Sequence, residues 1–228
     1  MPTTIPIVGQ LKGVILTFLE MQTEVFQWID EDSADPAFWT VDDVKTAINE
    51  GYGEISDSSE WYERDHNLPL LSNRTYYDLR SALGGEPVLT FKHAFNQTTR
   101  RWLYPGEIRE LDYRTFNQWE EITGEPEQFF VRGLFWLGTF PKQSSDSGTM
   151  KAYFTALPPD LSADGDTPGC PDEFHYGIVE YAIGDLLSQE AETQKAIGHF
   201  GEYSTYEAGL KGWVDGRVAL DRIPMLNG

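Results

Sequence analysis

The most regular hydrophobic pattern in the chain lies at residues 171–190. Seven apolar residues recur there at intervals of one, three and four: Phe174, Ile178, Val179, Ala182, Ile183, Leu186 and Leu187. This spacing places them on one face of an α-helix, and Pro171, Asp172 and Glu173 are residue types favoured in a first helical turn. The pattern therefore predicts a helix about 30 Å long, whose broad apolar face needs partners elsewhere in the chain.

Helical spacing recurs near both ends of the chain. Residues 10–22 are predicted to form a first helix, followed by a polar, acidic connector with aromatic residues at 23–39. Thr40 is suited to N-cap a second helix with Asp43 at its third position, and residues 57–59 are suited to end it. Apolar residues then repeat every three or four positions over residues 191–218, which predicts one long helix or two shorter ones.

Glycines are frequent in these predicted helices. They are Gly51 and Gly53 in the second helix, and Gly198, Gly201, Gly209, Gly212 and Gly216 near the C-terminus. Each glycine costs up to about 1 kcal/mol relative to alanine in a helix interior. We expect the first two to lie where another backbone approaches or where the helix frays, and the C-terminal set to mark tight helix–helix packing.

The middle of the chain changes to the period of two that is typical of β-strands. Strands are predicted at residues 76–79, 88–95, within 129–140 and at 150–157, and Phe140 and Met150 are predicted to flank a hairpin. Residues 104–107 carry a turn signal, and residues 111–119 a short helix or turn. Residues 75–157 are therefore expected to form a small antiparallel β element, followed by a loop rich in Pro, Gly and Asp.

The predicted fold class is α+β. N- and C-terminal helices form a helical bundle, and a small antiparallel β element is inserted between them. In domain terms, residues 1–67 plus 168–228 are expected to form the helical bundle domain, and residues 68–167 the β-rich insertion domain.

Composition narrows the function classes. The 228 residues contain 37 acidic and 17 basic side chains, for a net charge of −20. Such a chain is a poor candidate for gripping nucleic acid, because phosphate binding needs clustered Lys and Arg. The single cysteine, Cys170, excludes an internal disulfide. No secretory signal and no apolar run of about 20 residues is visible, so we expect a soluble protein made in the cytoplasm, with no membrane partner.

Paired acids are the first candidates for chemistry. Glu120–Glu121, Asp42–Asp43 and the run of acids at 30–32 have the residue types of carboxylate catalysis. A chain this acidic contains such pairs by chance, so we interpret them as solvated surface. Asp160, Asp164 and Asp166 resemble part of a calcium loop, but the twelfth position, where a bidentate Glu belongs, is a proline. We therefore predict an acidic turn and no metal or cofactor.

Histidine, cysteine and aromatic residues are interpreted as packing residues. The four histidines lack metal-ligand spacing, and His175, in the first turn of the central helix, is predicted to be a core or interface residue. Cys170 has no histidine nearby in sequence to activate it in the way a nucleophile requires. Four aromatic residues of the β element offer an alternative interpretation as a sugar-stacking platform: Trp102, Trp119, Trp136 and Tyr153.

The order of short motifs resembles one known family. In chain order they are AINEGY at residues 47–52, YYDL at 76–79, a strand from 88, Trp119-x4-Gly124-x-Pro126, an aromatic strand pair ending at Pro141, LPPDL at 157–161, and a long helix opening at Pro171 with Phe174-His175 and Tyr181-Ala182. This order is similar to that of the head–tail adaptor (connector) proteins of tailed bacteriophages, including the tubular tail adaptors of short-tailed phages. The resemblance covers residues 40–215, and the first 39 residues look like an addition. The family often has Pro-x-Pro after the second strand, where this chain has Pro141-Lys142-Gln143.

The resemblance implies a structural virion protein and no enzyme. It implies a homo-oligomeric ring of about twelve copies that joins the phage portal protein to a downstream tail or nozzle protein. Genomic DNA would pass through the lumen without specific binding, which suits an acidic wall that repels phosphate. The expected location is the neck or tail of the phage particle, after assembly in the host cytoplasm.

The apolar C-terminal residues are the predicted docking segment for the portal. Ile223, Met225 and Leu226 follow no helical period, which favours an extended conformation. Two other classes of function stay open. One is a carbohydrate- or receptor-binding tail component that uses the aromatic β element, and the other is a glycoside hydrolase, which would need two convergent acids in a cleft.

Overall fold

A computed structural model describes residues 15–31, 34, 38–82, 88–116, 118–133 and 135–221 of the chain. The chain divides into two compact units. One is a helical unit, in which the chain runs up to Trp61 and resumes at Pro158, and the other is the β-rich unit Tyr62–Leu157. The domain bounds given above from the sequence stay a prediction.

The described residues form six α-helices and ten strands. The helices are α1 Phe18–Trp28, α2 Val41–Ser59, α3 Leu79–Ala82, α4 Ile108–Thr115, α5 His175–Gln189 and α6 Thr193–Asp221. The strands are β1 Glu63–Leu70, β2 Tyr76–Asp78, β3 Val88–Asn96, β4 Arg101–Trp102, β5 Tyr104–Pro105, β6 Thr123–Gly124, β7 Gln128–Arg132, β8 Trp136–Phe140, β9 Lys142–Gln143 and β10 Gly148–Ala156. Short 3₁₀ helices cover Trp119–Glu121 and Asp172–Phe174. The predicted α+β class is confirmed.

Helix α1 begins later and ends later than the sequence pattern predicted. Its N-cap is Thr17, which forms a reciprocal capping box with Glu20 and so fixes the first helical residue at Phe18. The helix then continues to Trp28, so the expected connector at 23–39 is helical in its first part. Part of the predicted span of 10–22 lies outside the described residues. Phe18, Met21 and Val25 are buried, which makes α1 part of the core of the helical unit.

Helix α2 confirms the predicted cap. The Thr40 hydroxyl accepts a hydrogen bond from the backbone N–H of Asp43, and the Asp43 carboxylate accepts one from the backbone N–H of Thr40. The helix ends after Ser59, where Glu60 has a left-handed backbone (φ 52°). Gly51 has the predicted reason to be glycine, because a Cβ there would lie 3.1 Å from the backbone oxygen of Ile178. Gly53 has no atom within 4 Å of such a Cβ, so close approach does not explain it.

Helix α5 lies at the centre of the helical unit, as its apolar pattern predicted. It contacts α1, α2 and α6. Nine of its fifteen residues are buried: His175, Gly177, Ile178, Val179, Ala182, Ile183, Gly184, Leu186 and Leu187. At Gly177 a Cβ would lie 2.6 Å from the Cβ of Tyr206, so α5 and α6 are packed closely there.

The β-rich unit contains two four-stranded sheets and one two-stranded sheet. The strand orders are β1-β10-β3-β4, β2-β8-β7-β5 and β6-β9. Most pairs are antiparallel, but β5 pairs with β7 and β6 pairs with β9 in parallel, so the element is not purely antiparallel. A core cluster that includes Leu68, Leu137 and Phe154 fills the unit.

Three details of the β element differ from the prediction. Strand β1 was not predicted, because its first five residues are exposed and only Leu68 and Leu70 follow the alternation of a half-buried strand. The hairpin flanked by Phe140 and Met150 is wrong, since β8 and β10 lie in different sheets and Met150 pairs with Leu68 and Asn96. The helix expected near 111–119 begins earlier, as α4, with the 3₁₀ turn after it.

Within the described part of the chain, none of the helices has the length and apolar character that crossing a membrane requires.

Candidate functional site

The predicted docking residues Ile223, Met225 and Leu226 lie outside the described residues.

One acid in each predicted pair or run has a structural partner. The Asp43 carboxylate caps the first turn of α2, and these hydrogen bonds to Thr40 lower its pKa. Glu120 accepts a hydrogen bond from the hydroxyl of Tyr76 at 2.6 Å. Glu31 accepts hydrogen bonds from the backbone N–H groups of Phe38 and Trp39. These contacts fit carboxylates that organise local backbone and surface.

The acidic loop before α5 is a backbone turn. The Asp166 carboxylate accepts hydrogen bonds from the N–H groups of Ser162 and Ala163, both at 2.8 Å, and these bonds lower its pKa. Across the described ranges, no group of three or more His, Cys, Asp or Glu side chains is placed to hold a metal ion.

His175 joins three segments of the helical unit. Its Nδ1 accepts the backbone N–H of Leu16 at 3.2 Å, and its Nε2 lies 3.1 Å from the carbonyl oxygen of Cys170. The two contacts are compatible only with a neutral ring that carries its proton on Nε2. Burial lowers the pKa of His175, which favours this neutral form. The predicted packing role is confirmed, but its link to the segment before α1 was not visible in the sequence.

Cys170 has the properties of an inert core thiol. It is buried, and burial raises its pKa to about 12. The thiolate is the reactive form of cysteine, so this environment suppresses nucleophilic chemistry at neutral pH.

The four aromatic residues of the suggested sugar platform do not come together. Trp119 is buried among Leu111 and Phe130. Trp136 lies on β8 of one sheet, whereas Trp102 and Tyr153 belong to the other sheet. Only Trp102 and Tyr153 are neighbours, with ring centroids 5.5 Å apart. The carbohydrate-binding alternative therefore rests on this one pair.

The exposed side of α6 includes four glycines. Because an α-helix turns about 100° per residue, Gly201 and Gly212 lie nearly opposite Tyr203 and Leu210, which are buried. The four glycines Gly198, Gly201, Gly212 and Gly216 have no atom within 4 Å of a Cβ built on them. We call these four the α6 glycine face. Of the five C-terminal glycines, only Gly209 shows the expected close packing within the described chain, since a Cβ there would lie 3.1 Å from Phe174.

A second unusual surface lies on α4. Its inner side is held by Leu111, which is buried against Trp119 and Phe130. Its outer side carries Tyr113 and Phe116, which are 87% and 88% exposed. This surface was not predicted from the sequence, although apolar residues on both sides of one short helix are a recognisable signal.

The family model described as SU10 adaptor protein matches residues 16–220. The match begins at residue 16, so the interpretation of the first 39 residues as an addition is wrong for residues 16–39. No curated protein matches the chain significantly.

Proposed function

Because the chain belongs to the SU10 adaptor protein family, a family of phage head–tail adaptors, we propose that copies of it form a ring between the portal and the tail. Membership in this family implies a structural role in the virion neck and no enzymatic role. The proposed ring has about twelve copies, contacts the portal protein on one side and a tail or nozzle protein on the other, and lines the channel for the genome.

The α6 glycine face is the observation that carries the proposal of self-assembly. A glycine in a helix interior costs about 1 kcal/mol relative to alanine, and four such residues meet no neighbour within the described chain. A helix of 29 residues that keeps them along one side has a surface onto which another backbone can pack at close range. Copies of the same chain in a ring would supply that backbone.

Charge supports the proposed channel wall. The net charge of −20 per copy repels DNA phosphates, which carry one negative charge per about 1.7 Å of duplex. A wall that repels the genome does not hold it back during passage. Salt screens this repulsion beyond about 10 Å, so the effect acts on DNA close to the wall.

The apolar tail is proposed as the contact with the portal. Helix α6 is described to Asp221, so a deletion of residues 222–228 removes Ile223, Met225 and Leu226 and leaves every described residue of the helix in place. The experiment compares the full chain with this deletion and with a control whose tail is replaced by seven Gly and Ser residues. We expect both variants to keep the unfolding midpoint of the full chain and to lose co-sedimentation with portal-bearing heads. Undiminished binding of either variant contradicts the docking role of the tail.

A further inference from the structure

The outer side of α4 carries three residue types that are enriched in protein interfaces. Arg109, Tyr113 and Phe116 are spaced by four and three residues, so they share one side of the helix. We call these three residues the α4 outer face. Tyr, Phe and Arg are over-represented at interfaces, and such residues often contribute a large share of the binding free energy.

Nothing in the part of the chain that the structure describes explains why Tyr113 and Phe116 are exposed. Helix α4 is fixed by its inner side, where Leu111 is buried and the Asp112 carboxylate accepts a hydrogen bond from Trp119 Nε1 at 2.7 Å. Phe116 ends the helix with a left-handed backbone, φ 53°, a conformation that bulky residues rarely adopt. Neither Tyr113 nor Phe116 stacks on another ring in the part of the chain that the structure describes. A partner outside the chain would provide the missing contacts.

The one charged residue of the α4 outer face is Arg109, and its positive charge favours an acidic partner. An open cavity of about 710 Å³ is lined by Arg109, Asp112, Tyr113, Arg114 and Phe116. Arg114 forms an ion pair with Glu110, whereas Arg109 has no ion-pair partner among the described residues. A protein surface with carboxylates beside aromatic side chains would complement this cavity.

The helical unit of the chain itself has such a surface. Helix α2 carries Glu50 and Glu54 on either side of Gly51, where α2 approaches Tyr181 of α5 closely. Asp185 of α5 lies near Tyr181, and Glu207 of α6 lies near Tyr203, whose ring centroid is 5.2 Å from that of Tyr181. We call the four residues Glu50, Glu54, Asp185 and Glu207 the acidic surface.

Two observations describe the electrostatics of the acidic surface. Burial raises the pKa of Tyr181, and the charges of Glu54, Asp185 and Glu50 raise it further. Burial likewise raises the pKa of Tyr203, with further contributions from Glu207 and Glu54. None of these four carboxylates has an ion-pair partner within the described ranges. Their charges are therefore available to a cationic neighbour.

We propose that the α4 outer face of one copy docks onto the acidic surface of the next copy. This inference rests on the proposed ring, and it names the two surfaces that would meet. The two surfaces differ, so the contact is heterologous, and repeated heterologous contacts close into a ring when the rotation between copies allows it. We infer the identity of the partner from charge. A second copy of this chain is strongly acidic and has carboxylates beside tyrosines, which complement the α4 outer face.

The first test removes one surface at a time. The double variant Tyr113→Ser/Phe116→Ser and the variant Glu50→Lys/Glu54→Lys each change exposed side chains, so we expect both to keep the circular dichroism spectrum and unfolding midpoint of the wild type. We expect each to weaken assembly by more than about 30-fold, the effect of losing an interface hot spot. The matched control is Phe38→Ser, which removes an aromatic side chain that is 65% exposed in the helical unit. Assembly is measured by mass photometry and sedimentation velocity.

The second test uses the asymmetry of a heterologous contact. In an equimolar mixture of the two double variants, one variant supplies an intact acidic surface and the other supplies an intact α4 outer face. We therefore expect the mixture to form dimers and no rings, whereas each variant alone stays monomeric. Rings from either variant alone, with the wild-type yield, would overturn the inference while leaving the proposed ring intact. A wild-type chain that stays monomeric even with portal-bearing heads would instead contradict the proposed function.

Discussion

Alanine substitutions on the α6 glycine face separate stability from assembly. We consider the double variant Gly201→Ala/Gly212→Ala. Both sites are exposed, and an added Cβ meets no atom within 4 Å. The glycine-to-alanine change in an open helix position contributes about 1 kcal/mol. The sites are eleven residues apart, or about 16 Å along the helix axis, so their effects should add.

The expected magnitude is a gain of about 2 kcal/mol in the free energy of unfolding of the monomer. For a chain of this size, that corresponds to a rise of about 4–8 °C in Tm. The matched control is Gly51→Ala/Gly177→Ala, where the new Cβ atoms would lie 2.9 Å from Tyr181 Cδ1 and 2.6 Å from Tyr206 Cβ. Since these neighbours are part of the packed helices, we expect the control to lower the Tm.

The assay combines two measurements on the same samples. Urea denaturation at submicromolar concentration gives the stability of the monomer, and sedimentation velocity at high concentration gives assembly. We expect the α6 variant to be more stable than the wild type and to assemble less, because its new methyl groups hold a neighbouring backbone away. A variant that is no more stable than the wild type would refute the reading of these positions as open. A stabilised variant with undiminished assembly would refute their role in packing between copies.

Three further predictions concern single residues. His175→Gln should destabilise the chain at pH 7.5, and the difference from the wild type should shrink at pH 5.5. Because the pKa of His175 is lowered in the fold, its stabilising contribution is present above the ordinary pKa of about 6.5 and is lost as the pH falls below that value. Urea unfolding midpoints of both proteins at the two pH values measure this difference. Thr17→Ala should lower the free energy of unfolding by about 1 kcal/mol, because it removes the capping box of α1, whereas Thr23→Ala, at an exposed position in the same helix, serves as the control in the same denaturation assay. Cys170 should react with a thiol reagent such as DTNB only at the rate of unfolding, since it is buried and its pKa is raised; rapid labelling of the native chain would contradict this.

The parts of the fold that sequence predicted well depend on local signals. The cap of α2 is contained in Thr40 and Asp43, and the burial of α5 follows from its own apolar spacing. The start of α1 is also determined locally, by the capping box of Thr17 and Glu20. The predicted helix began too early, because apolar residues precede this box. Local chemistry thus determines element boundaries when the capping residues are recognised.

The pairing of the strands could not be predicted in the same way. A period of two identifies a strand but not its partner. Strand β10 pairs with β1, which lies far from it in sequence. The first half of strand β1 is exposed, so the alternation of buried and exposed residues that identifies a strand is absent there. The glycines of α6 illustrate a different limit. The sequence indicates that a neighbour should be close, but it does not say whether that neighbour belongs to the same chain or to another copy.

The most direct test of the central claim is the number of copies of this chain in a purified phage particle. Quantitative mass spectrometry with isotope-labelled peptides would measure it relative to the portal protein of the same particles. The proposed ring predicts about twelve copies per particle, in a fixed ratio to the portal. Hundreds of copies, as for a capsid or tube subunit, or none at all, would contradict the assignment to a ring between the portal and the tail.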